Sequence, residues 1–506
     1  MIKVYSREYT EYVESNALGA KGNLSSLELC EQLANAFCAK FRMNFGDHRK
    51  VIVFAGPGRN GAVALAISRI LLDYSESREV VLLNPTGLLS DDCATNARRL
   101  RDTGVALREV TTSFHPPVIH EEDIVIDGIC GIELNVPFDG SLAMVAQYIN
   151  KRASTVVSID VPSGLMSENN EGNLMDHVVR ATYTYTFYGP KLSFFLRENA
   201  EYVGKWQIID IRLDDGGPNK MVTNYLFSVS DMDGRIPPRP RFSNKYDYGR
   251  VALIAGSKGM MGAAILAGRA CMRSGAGHLT IHVPAGLAQT IHSSLPEALV
   301  DEDMDGDHFS VFSGADRYDA IAVGPGLGRH FSSAAALEAL LGYYKKPMVL
   351  DADAIHLLAA NESLLDRIPQ DSILTPHSGE FDALAGESLS DYERLQKAKE
   401  FAQKYRVNLV LKGAYTAICS KQGRIFFNTT GNPGMATAGT GDVLTGSILA
   451  LLGRGFQPLL AALVGVFVNG YAGDRYAEDF SAESLMASDV IDYLPKVFKY
   501  FKSDIN

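Results

Sequence analysis

Short apolar runs alternate with longer segments of helical spacing along the whole chain. In the first half the runs are VIVFAG from Val51, EVVLLN from Glu79, DIVIDG from Asp123, STVVSI from Ser154 and ATYTYTF from Ala181. Such runs are typical of strands that a parallel sheet buries on both faces, and the segments between them are typical of crossover helices. The pattern therefore predicts an α/β fold with mainly parallel sheets, whose ligands bind at the carboxyl ends of the strands.

The same alternation restarts in the second half. Its runs are RVALIAG from Arg250, DAIAVG from Asp319, KPMVLD from Lys346, DSILTP from Asp371 and NLVLKG from Asn408. Between the two halves the pattern lapses into segments rich in proline, glycine and charge, which are typical of a junction. We predict two domains, residues 1–213 and 245–506, joined by a linker at 214–244. A length of 506 residues agrees with this division, because a single core rarely grows so large.

Composition excludes several classes of protein. The formal charge is −11 and no cluster of Lys and Arg is longer than a pair, so we expect no nucleic-acid binding. The longest apolar run, 461–468, is too short to span a membrane, and the N-terminus lacks the pattern of a signal peptide. Six scattered cysteines indicate reduced thiols in a cytoplasmic protein. An anionic ligand would need backbone amides and a few local cations.

A glycine-rich stretch at 429–455 carries one aspartate, Asp442, just before an apolar segment of helical spacing. The spacing predicts a helix that begins near Gly441 or Asp442. The first turn of a helix has unpaired N–H groups and a positive dipole end, so a phosphate could approach there. Asp442 is then either a helix cap or a base that accepts a hydroxyl proton.

Four other loops carry candidate chemistry, and each has a plainer alternative. Lys412 follows a strand and could reach phosphates, or it is a solvated turn lysine. The GPGLG segment at 324–328 bares the backbone, or it is an ordinary turn. Asp351 and Asp353 are turn formers or partners for a metal and its waters. His377, in TPHSGE, is structural or catalytic.

Taken in order, six segments of the second half resemble one family. They are RVALIAGSKGMMGAAILAGRACMRSGAG, AVGPGLG, VLDADA, TPHSGE, LKGAYT and GNPGMATAGTGDVLTG. They are similar to the ADP- or ATP-dependent NAD(P)H-hydrate dehydratases, over nearly all of 246–494. The resemblance implies a ribokinase-like three-layer sandwich that repairs damaged nicotinamide cofactor. A nucleotide phosphorylates the ring hydroxyl of the S hydrate, and loss of phosphate restores NADH or NADPH.

The resemblance also implies a role for individual residues. The nucleotide would be held by Lys412, Gly413, Ala414, Tyr415, Thr416 and Gly441. The hydrated dinucleotide would face Ala263, Gly326, His377 and Asp442, and Asp442 would be the base. The co-substrate is ADP or ATP, with ADP more usual in bacterial members, and Mg²⁺ is expected to screen the phosphates.

The first half resembles the NAD(P)H-hydrate epimerase domain over most of 2–213, through VIVFAGPGRNGAVALAISRIL, DGICGIELNVP and SIDVPSGL. This implies a Rossmann-like three-layer sandwich that interconverts the R and S hydrates. Asn60, Asp127 and Ser163 would surround K⁺, since a hard cation prefers oxygen ligands. The substrate would meet Gly131, Ile132, Glu133, Leu134, Asn135, Val136, Pro137 and Asp160. For Asp127 and Asp160, turn formation at strand ends is an equally simple explanation.

The first half also departs from its family. In GPGRNGAV, Arg59 replaces an asparagine, Ala62 a glycine and Val63 an aspartate, while Ile132 and Glu133 stand where small residues are common. Val63 cannot accept a proton, and an arginine in a tight cleft can add a phosphate contact or fill the cleft. We predict a kept fold with weakened, altered or absent epimerase activity.

Two alternatives remain at this point. A ribokinase-like fold could instead phosphorylate a small alcohol, and the first domain could be a binding or oligomerisation module without catalysis. The expected partners are small molecules, hydrated NADH or NADPH and an adenine nucleotide, with no membrane and no nucleic acid. Because members of the family commonly assemble, we expect a homo-oligomer.

Overall fold

The computed structural model describes residues 1–18, 24–46, 49–74, 78–112, 114–211, 213 and 220–502. The chain forms two compact units. One comprises Lys3–Val222, and the other comprises Met1–Ile2 with Thr223–Asn506. The change from one unit to the other falls inside the proline- and glycine-rich junction at 214–244. Residues 214–219 of that junction lie outside the described residues.

The N-terminal unit is a parallel sheet covered by helices. Its strands are β2 (Val51–Ala55), β3 (Arg78–Leu83), β4 (Leu107–Val110), β5 (Ile124–Gly128), β6 (Thr155–Ile159), β7 (Tyr183–Phe187) and β8 (Lys205–Ile209). Its helices are α1 (Arg7–Ala17), α2 (Ser26–Asn44), α3 (Arg59–Ile70), α4 (Asp91–Arg101), α5 (Gly140–Arg152) and α6 (Ala200–Val203). The order across the sheet is β4-β3-β2-β5-β6-β7-β8, and every neighbouring pair is parallel.

Both faces of this sheet are buried, as the continuous apolar runs predict. On β2, Val51, Val53 and Ala55 pack into the core beneath α2, α3 and α4. The alternate residues Ile52 and Phe54 pack into the core on the α5 side. Successive side chains of a strand point to opposite faces, so a run that is apolar throughout fits a three-layer sandwich.

The C-terminal unit contains a larger sheet. Its strands are β9 (Asn224–Phe227), β10 (Arg250–Ile254), β11 (His278–Val283), β12 (Leu299–Glu302), β13 (Ala320–Val323), β14 (Met348–Leu350), β15 (Ile373–Leu374), β16 (Asn408–Leu411), β17 (Ala417–Cys419) and β18 (Ile425–Asn428), and β1 (Ile2–Lys3) joins its edge. Its helices are α7 (Met261–Arg273), α8 (Ala288–Ser294), α9 (Phe331–Tyr343), α10 (Asp353–Ala360), α11 (Ser378–Ala385), α12 (Asp391–Lys404), α13 (Thr440–Gly453), α14 (Pro458–Asp479) and α15 (Ala487–Tyr500).

Five central strands of this sheet are parallel neighbours, in the order β16-β15-β14-β13-β10. The β16-β17 and β17-β18 pairs, by contrast, are antiparallel. Because the five central strands are parallel, the prediction of a mainly parallel sheet is confirmed. Strand β9, Asn224–Phe227, pairs with β18, and this part of the predicted linker therefore belongs to the C-terminal sheet. Among the described residues no helix is both long and apolar enough to cross a membrane.

Helix α13 begins one or two residues earlier than the sequence pattern predicts. It starts at Thr440, and the residue before it, Gly439, has a left-handed backbone with φ of 92°. Asp442 is consequently the third residue of the helix and not its cap. The N-cap position makes no side-chain hydrogen bond at all. The prediction that a helix opens in this glycine-rich stretch is correct, and the alternative that Asp442 caps it is wrong.

Helix α13 packs unusually close to its neighbours through glycines. A Cβ atom on Gly446 would lie 2.0 Å from the carbonyl oxygen of Ala267 in α7, and one on Gly453 would lie 2.1 Å from a methyl of Val251. The residues from Val443 to Gly453 are all buried. These contacts determine where the first turn of α13 stands relative to the sheet.

We expect Gly446→Ala to destabilise the C-terminal unit by about 1–3 kcal/mol, because the added methyl overpacks a rigid backbone contact. Scanning calorimetry of the full chain measures the loss as a lower melting temperature of that unit. Gly342→Ala is the matched control. Gly342 lies in α9 with nothing within 4 Å of its missing Cβ, so alanine there should leave stability unchanged or raise it by up to about 1 kcal/mol. Equal effects of the two substitutions would contradict this account of the packing.

Candidate active site

The candidate residues of the second half meet at one edge of the C-terminal sheet. Asp351 follows β14, Lys412 follows β16, and the 324–328 loop follows β13. His377 comes shortly after β15 and ends the loop that leads into α11. Since these strands are parallel neighbours, their carboxyl ends lie side by side. The sheet order brings together loops that are far apart in the sequence.

Lys412 is bound to Asp351. Its ammonium lies 2.8 Å from Oδ1 of Asp351, whose other oxygen accepts a hydrogen bond of 2.6 Å from the hydroxyl of Thr445 in α13. Burial lowers the pKa of Lys412, but the carboxylates of Asp351 and Glu380 outweigh it, so the pKa is raised and the lysine stays charged. The alternative of a solvated turn lysine is wrong, because the ammonium is fixed by an ion pair.

The same ammonium lies over the first turn of α13. A Cβ atom on Gly441 would be 3.2 Å from Nζ of Lys412 and 4.0 Å from Oδ2 of Asp351. Glycine at this position leaves the backbone amides of the turn uncovered by a side chain. The arrangement joins a fixed cation and a helix N-terminus, which are two features that bind phosphate groups.

Asp442 stands in that first turn. Burial, together with the negative charges of Asp351, Asp353 and Glu380, raises the pKa of Asp442 to about 6 against the opposing charge of Lys412. Among the described residues its carboxylate has no hydrogen-bond partner. A carboxylate with a pKa near neutrality and no partner is suited to accept a proton from a ligand.

Asp353 is engaged elsewhere. Its two oxygens accept hydrogen bonds from the backbone N–H of Gly328, at 2.9 Å, and from the guanidinium of Arg329, at 3.1 Å. Asp351 likewise has both oxygens occupied. Among the described residues no group of three His, Cys, Asp or Glu side chains could hold a metal ion. Asp353 therefore ties residues 328 and 329 to the start of α10, and Asp351 ties Lys412 to α13.

The 324–328 loop reaches back to the start of α7. A Cβ atom on Gly326, where φ is 60°, would lie 3.0 Å from Cβ of Ala263 and 2.7 Å from the carbonyl oxygen of Met260. The carbonyl oxygen of Gly326 accepts a hydrogen bond of 2.9 Å from the Ser257 hydroxyl. Ala263 and Gly326, expected to face the same ligand, are therefore in contact.

His377 begins α11 as its N-cap. Its Nδ1 accepts a hydrogen bond of 3.1 Å from the backbone N–H of Glu380, and the Glu380 carboxylate accepts one of 2.8 Å from the backbone N–H of His377. The backbone beside His377 also pairs with Lys412, through a hydrogen bond from Lys412 N to the Pro376 carbonyl. The imidazole is thus structural, as a cap, and the backbone of the same segment lies next to that of Lys412.

Residues 413–416 form the turn between β16 and β17. The Thr416 hydroxyl donates to the carbonyl oxygen of Gly413 at 3.1 Å. Gly413 and Ala414 are exposed, and Tyr415 and Thr416 are partly buried. This turn continues directly from Lys412, so the predicted nucleotide residues form one continuous rim.

In the N-terminal unit the three residues predicted to hold a cation also come together. Ser163 donates its backbone N–H to Asp127 at 2.9 Å and its hydroxyl to the carbonyl oxygen of Cys130 at 3.0 Å. The Asn60 amide donates to the same Cys130 carbonyl at 2.8 Å and to that of Ile159 at 3.3 Å. These contacts link the ends of β5 and β6 to the first turn of α3.

Asp160 has a strained backbone and a buried partner. Its φ is 63°, a conformation that non-glycine residues rarely adopt. Its carboxylate accepts a hydrogen bond of 2.7 Å from Lys191, which is completely buried, and others of 3.0 Å from the Thr186 hydroxyl and the Phe187 N–H. Strain that the surroundings hold in place is typical of functional sites.

Arg59 fills the cleft between these groups. Its guanidinium forms an ion pair with Glu14 of α1, and the Tyr188 hydroxyl donates to the same carboxylate at 2.9 Å. With Val63 and Glu133 they line a cavity of about 30 Å³. Small-molecule sites usually have roughly 300–1,000 Å³, so this cavity has room for little more than water.

The loop predicted to meet the substrate lies around the cleft without pointing wholly into it. Gly131 lies close to Asn60 and Glu133, Ile132 packs against an apolar cluster, and Leu134 packs against the core on the α5 side. Asn135 and Val136 are exposed, and Pro137 is partly buried. Two of the residues of this loop, Ile132 and Glu133, border the small cavity itself.

Comparison with known proteins agrees with this two-site architecture. A family model described as NAD(P)H-hydrate dehydratase matches residues 251–496, and one described as YjeF-related protein N-terminus matches 26–193. The bifunctional NAD(P)H-hydrate repair enzyme of Moorella thermoacetica is 33% identical, over 90% of this chain and 89% of its own. The chain belongs to the family of bifunctional NAD(P)H-hydrate repair enzymes.

Other members of the repair family match at similar levels. The enzymes of Thermofilum pendens and Escherichia coli are 31% and 28% identical, over 94% and 96% of this chain and 93% and 92% of their own. Among solved structures, an ADP/ATP-dependent NAD(P)H-hydrate dehydratase from Bacillus subtilis, co-crystallised with ATP and Mg²⁺, is 35% identical. The match covers 55% of this chain and 98% of the Bacillus subtilis chain, with a TM-score of 0.48.

Sequence reasoning missed four residues of this repair-family chain that contact the predicted site residues or Arg59, namely Glu14, Tyr188, Lys191 and Thr445. Glu14 and Tyr188 have no local signal, because they are 174 positions apart. The ion pair of Asp351 with Lys412 spans 61 positions. For Asp351 a signal was present, since an aspartate directly after a strand was singled out, but its partner was not foreseen.

Proposed function

We propose that the protein repairs hydrated nicotinamide cofactor, and that the C-terminal unit carries out nucleotide-dependent dehydration of (6S)-NADH or NADPH hydrate. The observation that carries the proposal is Asp442, a partly buried carboxylate with a pKa of about 6, in the first turn of α13 beside Lys412. Membership of the repair family supports it. The relatives named above are repair enzymes, which speaks against a kinase of a small alcohol.

The chemistry follows from the placement of these groups. Asp442 accepts the proton of the ring hydroxyl, whose oxygen attacks the terminal phosphorus of the nucleotide. The bond from that phosphorus to its bridging oxygen breaks, so ADP leaves as AMP, or ATP leaves as ADP. Lys412 and the uncovered amides of α13 stabilise the negative charge of the transferred phosphoryl group. The phosphate ester then breaks at its carbon–oxygen bond and a neighbouring C–H proton is lost, which restores the ring double bond. Phosphate leaves far more readily than hydroxide, so phosphorylation makes the dehydration feasible.

We propose that the nucleotide is held by the rim from Lys412 to Thr416 together with Gly441, and the hydrated dinucleotide by Ala263, Gly326, His377 and Asp442. The contacts of Lys412 with the first turn of α13, and of Gly326 with Ala263, support one cleft with two walls. ADP is the preferred co-substrate in this proposal. The closeness of several carboxylates makes bound polyphosphate unfavourable unless its charge is screened.

Mg²⁺ suits this cleft as a companion of the nucleotide. Mg²⁺ keeps several waters and binds through substrate phosphates in sites of this kind, without a cage made of protein. The described residues offer no such cage, and the donors that fit the ion are the phosphate oxygens. When bound, the ion would neutralise charge on the phosphates, and no side chain of the protein has to move for it.

We propose that the N-terminal unit keeps the architecture of the epimerase but has weakened activity. The ion pair of Arg59 with Glu14 and the cavity of about 30 Å³ support this. A K⁺ site at Asn60, Asp127 and Ser163 is part of the proposal. A carboxylate, a hydroxyl, an amide and the Cys130 and Ile159 carbonyls meet there, and oxygen donors of these kinds suit a hard cation. The ion would offer positive charge to an anionic substrate.

Two further expectations remain proposals. The free state of all six cysteines supports a cytoplasmic location, where thiols stay reduced. We also propose a homo-oligomer, in line with the resemblance of the sequence to proteins that assemble.

The proposed function predicts that purified protein restores NADH from its S hydrate when ADP or ATP is present. The absorbance of NADH reports the product, and free phosphate should appear in equal amount. Omission of the nucleotide is the control and should give no NADH. Consumption of nucleotide with build-up of a phosphorylated alcohol, and no return of NADH, would instead favour a kinase.

Asp442→Asn should lower turnover by roughly 10²–10⁴-fold, since it removes the proton acceptor, while nucleotide affinity changes little. The wild-type rate should rise with pH through about 6, because the base acts when deprotonated and its pKa is about 6. The residual activity of the variant should not show this rise with pH, which is the acidic limb of the profile. Reaction rates measured across a range of pH report the loss of turnover and its pH dependence. Calorimetric titration with the nucleotide reports its affinity.

Asp489→Asn is the matched control for Asp442→Asn. Asp489 is also the third residue of a helix, α15, where its carboxylate accepts the backbone N–H of Met486 at 2.8 Å. Asp489→Asn therefore removes a negative charge from the first turn of a helix and leaves the proposed base, Asp442, in place. Normal turnover is expected from it, and a loss equal to that of Asp442→Asn would assign both aspartates to helix stability alone.

For the N-terminal unit, we expect the wild-type protein to interconvert R and S hydrate slowly, and Arg59→Asn with Val63→Asp to accelerate the reaction. The double substitution removes the ion pair with Glu14 and adds a carboxylate to the cavity. Chromatography of the two hydrates over time measures the rate. Arg99→Asn, at a partly exposed ion pair with Glu31, is the control and should change nothing. Rapid equilibration by the unaltered protein would refute the weakened site.

A further inference from the structure

Asp351 is the most deeply buried charge of the dehydration cleft. Its side chain is 1% exposed, and its two oxygens are shared between Lys412 and Thr445. Neither the resemblance to the family nor the proposed mechanism gives it a role. A buried carboxylate costs free energy unless it is paired and hydrogen-bonded, and here Lys412 and Thr445 are those partners.

The backbone holds Asp351 at a defined position. Its N–H donates to the Val323 carbonyl at 3.1 Å, and its own carbonyl accepts from Ala354 at 3.0 Å. A Cβ atom on Gly324 would lie 1.8 Å from that carbonyl oxygen, so the 324–328 loop packs directly on it. The next residue, Ala352, has a φ of 50°, and such strain persists only where the surroundings impose it.

The ion pair solves a problem of charge for Lys412. Its ammonium lies over the first turn of α13, at the positive end of the helix dipole, where a cation is unfavourable. The Asp351 carboxylate offsets this repulsion and is itself tied to α13 through Thr445. Without it the flexible lysine stem would carry its charge away toward solvent, and the phosphate would lose one of its two partners.

The same carboxylate lies near Asp442, since its Oδ2 is 4.0 Å from the position of a Cβ atom on the preceding residue, Gly441. The charged groups around Asp442 are Asp351 after β14, Asp353 in α10, Glu380 in α11 and Lys412 after β16, and Asp351 has the largest effect among them. A nearby like charge disfavours the ionised form of a carboxyl group and makes it a stronger base. Asp351 therefore acts on both groups that the proposed reaction uses.

We propose that Asp351 is a positioning residue of the dehydration site, which holds the Lys412 ammonium over the first turn of α13 and keeps Asp442 a strong proton acceptor. The inference rests on the proposed function. It predicts two effects of neutralising this one side chain, one on nucleotide binding and the other on the pH dependence of the reaction. A residue that only stabilised the fold would produce neither.

Asp351→Asn in the full-length protein tests the proposal. We expect KM for the nucleotide to rise about tenfold, which corresponds to 1.4 kcal/mol, because Lys412 is no longer held. We also expect the acidic limb of the kcat/KM profile to move to lower pH and the plateau to fall, since Asp442 becomes a weaker base. The assay is the return of NADH from its S hydrate with ADP, from acid to neutral pH.

Asp303→Asn is the matched control. Asp303 is a buried carboxylate of the same unit, paired with His282 and accepting hydrogen bonds from Ser310. It follows β12, which β13, β10 and β11 separate from β14 in the sheet. Its substitution should lower the melting temperature without moving KM or the acidic limb. If Asp351→Asn gave the same result as Asp303→Asn, the positioning role would be refuted.

Thr445→Val provides a second test if Asp351→Asn does not fold. It removes the hydrogen bond that anchors Asp351 to α13 but keeps both charges of the ion pair. KM for the nucleotide should rise while the acidic limb stays in place, and an unchanged KM would overturn the proposal. Failure of the wild-type protein to form NADH would be a different result, because it would refute the proposed function itself.

Discussion

The cleft of the C-terminal unit depends on the close approach of α13 to the sheet. Gly446 allows the helix to contact the Ala267 carbonyl, and Gly439 and Gly441 leave its first turn without covering side chains. A larger residue at Gly446 would push the helix away, and the amides, Thr445 and Asp442 would move with it. The glycine-rich stretch costs backbone entropy on folding. In return, the backbone amides at the start of α13 are not covered by side chains.

Electrostatics explain why that terminus needs Lys412. The chain has a formal charge of −11, and Asp351, Asp353, Glu380 and Asp442 all lie near the same cleft. A polyphosphate enters against this field only where donors are concentrated, and the lysine ammonium with the helix amides forms such a place. The surplus of carboxylates has a use as well, because it keeps Asp442 from being permanently ionised and hence weakly basic.

The two units surround the polar groups at their strand ends with different kinds of side chain. In the C-terminal unit small residues keep the backbone accessible at Gly326, Ala263 and Gly441. In the N-terminal unit the equivalent space at the strand ends is taken by Arg59 and its partners Glu14 and Tyr188. The sheet of this unit, the strained Asp160 and the cluster around Ser163 lie beside that arginine.

The sequence alone determined the architecture, because apolar periodicity and turn residues are local properties. It was enough to identify a helix within 440–453 and ten of the strands, β2, β3, β5, β6, β7, β10, β13, β14, β15 and β16, but not strands such as β9 and β12. Its motifs identified Asp442, Lys412 and the 324–328 loop. Local patterns could not decide what each polar side chain contacts. The solvated alternative for Lys412 was decided by its contact with the distant Asp351, and the cap alternative for Asp442 by the start of α13 at Thr440. Ion pairs such as Lys412 with Asp351 and Arg59 with Glu14 form only when the parallel sheet brings strand ends and helices together, so tertiary structure alone decided them.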